Sequence, residues 1–289
     1  MNAASKNRKD IHAESGQNDT VSPMSREAMP FPHVQRVVYG KNPLIEVSFQ
    51  VKFPRFLTIE TEPPSEFQKL VIGEFPIYEQ RQVFQFSISV GNAPERSEVH
   101  GKMHAFQSAD RNVSITLASD SLSVSCSRYD SWEDFLPHVT RALDAFYRTY
   151  RLPISTRIGL RYVNVIARDE LGLSDQPWSA LLQSYIAGAF LGPSLSEADF
   201  QAKTTILTAR LSDGDHVLLR HGLVTQNETK KVAYLIDSDF YNEEQRDVGL
   251  DTTLAVASRL HTNSGRLFRW CISDALHAAM DPKPRPESK

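Results

Sequence analysis

The order of predicted elements repeats along this chain, and that repeat constrains the fold more than any other feature of the sequence. Residues 44–53, LIEVSFQVKF, alternate apolar and polar side chains, which predicts a half-buried strand. The apolar series consists of Ile45, Val47, Phe49, Val51 and Phe53. A short helix, four further strands and a long amphipathic helix are predicted up to residue 151. From residue 152 the chain again predicts a strand, a helix at 177–190, several strands and a helix, so we expect two similar halves.

This order predicts the α+β class, with antiparallel strands in one curved sheet or two adjoining sheets and long amphipathic helices packed on the concave side. The first half is expected at 31–151 and the second, packed on it, at 152–281. Residues 1–30 contain few apolar side chains and are predicted to be a disordered tail. Residues 282–289 contain three prolines and are predicted to fray. The segment from residue 250 to 280 is predicted as one long helix.

Composition limits the partners and the compartment. The formal net charge is −3, which gives no field that would hold nucleic acid or an anionic membrane surface. No apolar run approaches the roughly 18 residues that a membrane span requires. Cys126 and Cys271 lie in apolar stretches and are predicted to be buried free thiols. Since the N-terminal segment lacks the apolar core of a secretion signal, we predict a cytoplasmic protein.

The common motifs of cofactor and metal chemistry are not found. Phosphate loops, dinucleotide fingerprints, nucleophile elbows and zinc motifs have no match, so no cofactor and no metal are expected. His100 and His104 lie on a predicted strand, where four residues span about 13 Å, too far for a shared ion. Asp274 and His277 are three residues apart on a predicted helix. That spacing suits an oriented general base, or an ordinary helical pair.

Four charged residues form the strongest candidate binding surface. Arg157 and Arg161 share one face of a predicted strand, and Asp237 and Asp239 share one face of another. If the two strands are neighbours, the four side chains line a common surface. They would form either a cross-strand salt-bridge ladder or a polar floor, on which arginine binds a carboxylate or phosphate ligand through paired hydrogen bonds.

Two further polar residues interrupt apolar strands. His221, followed by Gly222, lies in the middle of HVLLRHGLV, where glycine often marks a bulge or the close approach of another backbone. Asn164 lies on the apolar face of its strand and needs a hydrogen-bond partner if it is buried. Both residues are candidates for ligand binding, and both also fit a polar network in the core.

Several motifs together resemble a sporadically distributed family of uncharacterised bacterial proteins. They include NPLIEVSFQVKF, RYDSWEDF, RIGLRYVNVI, YLIDSDFY and FRWCISDALHAAM. The resemblance covers residues 34 to 282, and its most specific parts are Arg157 to Asn164 with Tyr129, Trp132 and Phe135. The family has no established activity, so it supplies no catalytic residues. Its patchy occurrence implies an accessory role, such as defence or toxin neutralisation.

The leading functional prediction is a binding or regulatory module that recognises a partner protein or a small anionic ligand. Its ligand-binding residues are predicted to be Arg157, Arg161, Asn164, His221, Asp237 and Asp239. One alternative is an enzyme of an unfamiliar type, in which Asp237, Asp239, His221 or His277 act as acid or base groups. Another is a structural subunit that forms homo-oligomers through sheet edges or helices.

Overall fold

The computed structural model of this protein describes residues 31–86, 97–192, 200, 203–226 and 230–284, and at 82–86 and 97–101 it describes the backbone alone. The strands, numbered in chain order, are β1 (Val37–Tyr39), β2 (Leu44–Lys52), β3 (Ile77–Phe86), β4 (Ser97–Gln107), β5 (Val113–Ala118), β6 (Ser121–Cys126), β7 (Ile154–Ser155), β8 (Arg157–Ile166), β9 (Lys203–Arg210), β10 (Asp215–Thr225), β11 (Val232–Asn242), β12 (Arg246–Asp247) and β13 (Pro282–Pro284). The α-helices are α1 (Thr58–Thr61), α2 (Ser65–Val71), α3 (Trp132–Tyr150), α4 (Trp178–Leu181), α5 (Ser184–Ala187), α6 (Leu250–Cys271) and α7 (Asp274–Ala279). This mixture confirms the predicted α+β class.

Nine of these strands form one antiparallel sheet. Their order across the sheet is β3-β4-β5-β6-β2-β8-β11-β10-β9. The central pair is β2 with β8, in which Phe49 lies opposite Leu160. The outer neighbour of β2 is β6, and the outer neighbour of β8 is β11. Main-chain hydrogen bonds therefore join the two predicted halves at the centre of the sheet.

The predicted alternation of β2 is correct over most of its length. Val47, Phe49 and Val51 are buried on one side of the sheet, together with Phe53 just beyond the strand. Ile45 was expected in the same series, but it is 52% exposed. A β-bulge between Leu44 and Glu46 shifts the register against β8 and turns Ile45 away from the core.

The long helix α3 and the helix α6 pack on the side of the sheet that carries Phe49. We call this the helix side, and we call the opposite side the open face. The hydroxyl of Ser131 caps α3 by accepting a hydrogen bond from the amide of Asp134, at 3.3 Å. The buried stripe of α3 includes Phe135 and Phe146, and the Phe146 ring packs 4.9 Å from Phe53. The helix side therefore holds the apolar core.

The prediction of one continuous helix from residue 250 to 280 is wrong, because the chain breaks between α6 and α7. Ile272 is extended and forms an isolated antiparallel bridge with Leu182. The amide of Ser273 donates to Leu181, and its hydroxyl caps α7. The same bridge interrupts the helix that was predicted around Leu182, which is divided into the short turns α4 and α5. Mutual main-chain bonding of two distant segments has overridden the local helical pattern.

Several smaller features complete the fold. Strand β13, which falls in the tail predicted to fray, pairs with β1, since proline is tolerated in a two-stranded edge ladder. Cys126 and Cys271 are buried free thiols, as predicted. His104 is also buried, and its ring nitrogens bond Tyr78 and the carbonyl of Ile59. Within the described residues, no helix combines the length and apolar content that crossing a membrane requires. Residues 1–30 lie outside the described residues, as does the side chain of His100.

Candidate ligand cavity and charged sheet face

The open face brings together the four charged residues that the sequence selected. In the register of β8 with β11, Arg161 lies directly opposite Asp239 and diagonally beside Asp237. The Arg161 guanidinium makes a bidentate bond to Asp237, with Nε to Oδ1 at 2.7 Å and Nη2 to Oδ2 at 2.9 Å. Arg220, on β10, adds a longer contact of 3.4 Å to the same carboxylate. These hydrogen bonds raise the pKa of Arg161 above its ordinary value.

Arg157 forms a second ion pair on the open face, with Asp239. Its Nη2 bonds Asp239 at 2.8 Å, and its Nη1 bonds Gln50 on β2 at 3.3 Å. The guanidinium lies over Gly159 and 4.7 Å from the ring centre of Tyr241, in cation–π contact. A Cβ atom at Gly159 would come within 2.3 Å of the guanidinium, so glycine makes room for this arrangement. The geometry is that of a cross-strand ladder, and ligand binding by these residues remains a prediction.

His221 lies on the other side of the sheet, away from the ladder. Its Nδ1 is 2.7 Å from the hydroxyl of Tyr234, and burial lowers the pKa of His221 to about 4. The following Gly222 lies against β9, where a Cβ atom would be 1.7 Å from the carbonyl oxygen of Lys203. The prediction that this glycine marks a close backbone approach is therefore confirmed.

The acid and base groups suggested for an enzyme are not gathered in one place. Asp237 and Asp239 are on the open face, whereas His221 is buried on the helix side. Asp274 and His277, for which the spacing suited either an oriented base or an ordinary helical pair, form no hydrogen bond or ion pair with each other. Asp274 forms an ion pair with Arg269, and Nδ1 of His277 is 2.9 Å from the hydroxyl of Tyr39. Each group already has a different partner.

A cavity of about 630 Å³ lies on the helix side, and the sequence reasoning did not find it. The arm at residues 33–39 forms one wall, and the start of α3 at residues 129–132 forms another. Part of α6 and His277 form a third wall. Four residues of the central strands form the floor, namely Leu44, Tyr162, Asn164 and Ser238. Its volume is within the range of small-molecule sites.

A cluster of aromatic side chains shapes the inner wall of the cavity. The hydroxyl of Tyr162 is 2.8 Å from Nδ1 of His261, and the His261 ring stacks on Trp132 at 4.7 Å between ring centres. Tyr129 packs edge-on against Tyr162. Burial lowers the pKa of His261 to about 4 and raises the pKa of both tyrosines. The wall is therefore uncharged at neutral pH.

The charged residues of the lining are mostly cationic, with three arginines against Asp130. Arg36 is bidentate to Glu133, at 2.6 and 2.7 Å, and this bond raises its pKa. Arg269 is engaged by Asp274 and by the carbonyl of Ile272. Arg266 differs, because no other described residue forms an ion pair or a hydrogen bond with its guanidinium. The cavity therefore offers a free cation to an anionic ligand.

The arm that closes the cavity is attached at several points. Phe31 packs on Trp270, with ring centres 5.5 Å apart, and Tyr39 bonds His277. The amide of Gly40 donates to the carbonyl of Asp281 at 2.8 Å. Burial raises the pKa of Tyr39 to about 12, and burial lowers that of His277 with a smaller effect of Arg269. The arm is thus anchored to the rest of the fold at both of its ends.

One signal in the sequence could have located this cavity. Tyr129 and Trp132 belong to the RYDSWEDF motif, and Tyr162 and Asn164 belong to RIGLRYVNVI. All four line the cavity. Of the predicted ligand-binding residues, Asn164 alone is in the lining, and His277 is there as well. Among the described residues, no group of three or more His, Cys, Asp or Glu side chains could hold a metal ion.

Comparison with known proteins adds no functional assignment. No protein-family model matches the chain, and no curated protein matches it significantly. The predicted resemblance to a sporadic bacterial family stays a prediction.

Proposed function

We propose that this protein is a binding or regulatory module that holds a small anionic ligand in the cavity between the arm, α3 and α6. The observation that carries the proposal is Arg266, a lining residue of the cavity whose guanidinium has no hydrogen-bond or ion-pair partner among the described residues. An arginine in that state can give two parallel hydrogen bonds to a carboxylate or phosphate.

The rest of the lining supports the same conclusion. Ligand sites are concave, largely aromatic or apolar, and contain a few convergent polar groups. Here the rings of Trp132, Tyr129 and Tyr162 supply the aromatic wall, and the three arginines exceed the single carboxylate. Because Arg36 and Arg269 already have acidic partners, Arg266 is the group that a ligand would neutralise.

The wider role that we propose is an accessory one, as the predicted family resemblance implies, and the compartment that we propose is the cytoplasm. We also propose that the halves at 31–151 and 152–281 arose by duplication, with α3 and α6 as equivalent amphipathic helices. The central position of β2 and β8, each flanked by the last large strand of its own half, supports this interpretation.

Isothermal titration with inorganic phosphate, phenyl phosphate and benzoate tests the ligand proposal. The variant Arg266→Gln should weaken binding of these anions by about 10-fold to 100-fold, the effect of losing a charged hydrogen-bonding group. The matched control is Arg141→Gln, since Arg141 is exposed on α3 and paired with Glu74, away from the cavity lining. Failure of all three anions to bind the unmodified protein would refute the proposal.

The second candidate function is association with a partner protein or a second copy through β9. This strand is at one edge of the sheet, and its residues 204–208, TTILT, carry no charge. Ile206 is 63% exposed and Leu207 is 42% exposed. Natural edge strands usually carry charges that discourage pairing with other chains. Sedimentation velocity should therefore detect an oligomer that Ile206→Lys abolishes and that the control Ile72→Lys, at the exposed residue that follows α2, leaves intact.

A further inference from the structure

The floor of the cavity interrupts the apolar side of the central sheet. Along β8 and β11 the helix-side positions are mostly apolar, as at Leu160, Ile236 and Phe240. At the floor, these positions are taken by Asn164 and Ser238, which are 6% and 3% exposed. Buried polar groups normally have hydrogen-bond partners, so the bonds that Asn164 and Ser238 lack within the protein indicate what a ligand could supply.

Only one of the two polar atoms of the Asn164 side-chain amide is hydrogen-bonded within the protein. Its Nδ2 donates to the carbonyl oxygen of Ile236 at 3.3 Å. The reverse orientation of the amide would set two oxygens against each other, so this contact assigns Nδ2 to the Ile236 carbonyl and leaves Oδ1 as the other atom of the amide. The remaining atom, Oδ1, is a hydrogen-bond acceptor and has no donor among the described residues.

Ser238 is the second unsatisfied group of the floor. It lies directly opposite Tyr162 in the β8–β11 ladder. The Tyr162 hydroxyl already bonds His261, and no described residue makes a hydrogen bond with the Ser238 hydroxyl. Two nearly buried side chains, on adjacent strands, thus line the cavity with hydrogen-bonding capacity that the protein does not use.

We infer that the ligand of this cavity is a small organic acid that also carries a hydroxyl or amide N–H group. Its carboxylate or phosphate would bind Arg266 on α6, and its hydroxyl or N–H would donate to Asn164 Oδ1 and exchange a hydrogen bond with Ser238. This inference rests on the proposed anion-binding function. It adds that the floor distinguishes a donor-bearing acid from an acid of the same charge without the donor.

Matched pairs of acids test the inference by isothermal titration. The pairs are 4-hydroxyphenyl phosphate with phenyl phosphate, 4-hydroxybenzoate with benzoate, and 4-hydroxybutyrate with butyrate. In at least one pair the hydroxylated member should bind about 5-fold to 10-fold more tightly, the value of one net hydrogen bond. Asn164→Leu and Ser238→Ala should each reduce that ratio, while Arg266→Gln should weaken both members equally and keep the ratio.

The outcomes separate the inference from the function on which it rests. If members of every pair bind with equal affinity, the floor does not select a donor and the inference fails, whereas the anion site stands. If no acid binds, both proposals fail. A preference that persists in both Asn164→Leu and Ser238→Ala would also overturn the inference. Thermal unfolding of the variants checks that they fold, and Ser238→Ala, which removes only one oxygen, serves if Asn164→Leu does not.

Discussion

On the open face of the central sheet, Arg161 and Asp237 form an ion pair with each other. On the helix side of the same two strands, Asn164 and Ser238 line a cavity with hydrogen-bonding groups that no protein group uses. The open face is the more charged of the two, and from sequence it was the more attractive site. Yet the four charged residues that the sequence selected there are paired with one another. The difference shows that a functional surface is better recognised by unsatisfied polar groups than by the density of charge.

The largest effect should come from removing the shared carboxylate of the open face. Asp237 is buried, with its side chain 4% exposed, and it holds both Arg161 and Arg220. Asp237→Ala should lower the free energy of unfolding by about 3 kcal/mol, because it removes three charge-assisted hydrogen bonds that the buried carboxylate accepts from Arg161 and Arg220. Urea unfolding measures this change. Asp144→Ala, which breaks an exposed pair with Arg148, is the control and should cost less than about 0.5 kcal/mol. Anion affinity should stay constant in both variants.

The next effect is a pH dependence on the cavity side. Burial holds the pKa of His261 at about 4, below the 6.5 of an unperturbed histidine. As the pH falls through 6.5 the unfolded chain therefore takes up a proton at His261, and the folded protein does so only near pH 4. Stability should be lost across this window, by about 2 kcal/mol for this residue.

The measurement is urea unfolding at pH 7 and at pH 4.5 in the unmodified protein and in His261→Gln. The loss of stability on acidification should be smaller in the variant. His221, with a pKa that is also about 4, is present in both proteins and contributes equally. An equal loss in the two proteins would mean that His261 is not held neutral by the cavity wall.

The smallest expected change in stability distinguishes Arg161 on the open face from Arg266 in the cavity. Arg161→Gln should lower the free energy of unfolding by about 1 kcal/mol, since Arg220 still contacts the buried Asp237 and the glutamine amide can donate to the same carboxylate. It should leave anion affinity unchanged. Arg266→Gln should do the reverse, with a stability change within about 0.5 kcal/mol and weaker binding. If Arg161→Gln weakens anion binding and Arg266→Gln does not, the ligand site belongs on the open face after all.

Local patterns predicted the α+β class and single elements such as β2 and α3, because each pattern reflects one buried face. The alternation of β2 and the three-and-four spacing of α3 are such patterns. The sequence missed features that depend on distant contacts. The Leu182–Ile272 bridge breaks two predicted helices, and the bulge near Ile45 depends on pairing with β8. Rules that consider only neighbouring residues in the sequence cannot predict these two interactions.

The candidate site was predicted only in part, for the same reason. Adjacent-strand reasoning brought Arg157 and Arg161 together with Asp237 and Asp239, and this grouping is present. The cavity is built from segments around residues 36, 131, 164, 238 and 266, which come together only in the tertiary structure. Asn164 was selected because a polar residue on an apolar face needs a hydrogen-bond partner, and that rule identified one residue of the cavity floor without locating the cavity.

The central place of β2 also affects how the chain can be made. This strand pairs with β6 on one side and with β8 on the other, and about 30 residues separate those two partners in the sequence. At ribosomal speeds of about 5 to 20 residues per second, one edge of β2 has no native partner for roughly 2 to 6 seconds after β6 has been synthesised. A nascent chain stalled before residue 157 would keep that edge open and could recruit strands from neighbouring nascent chains.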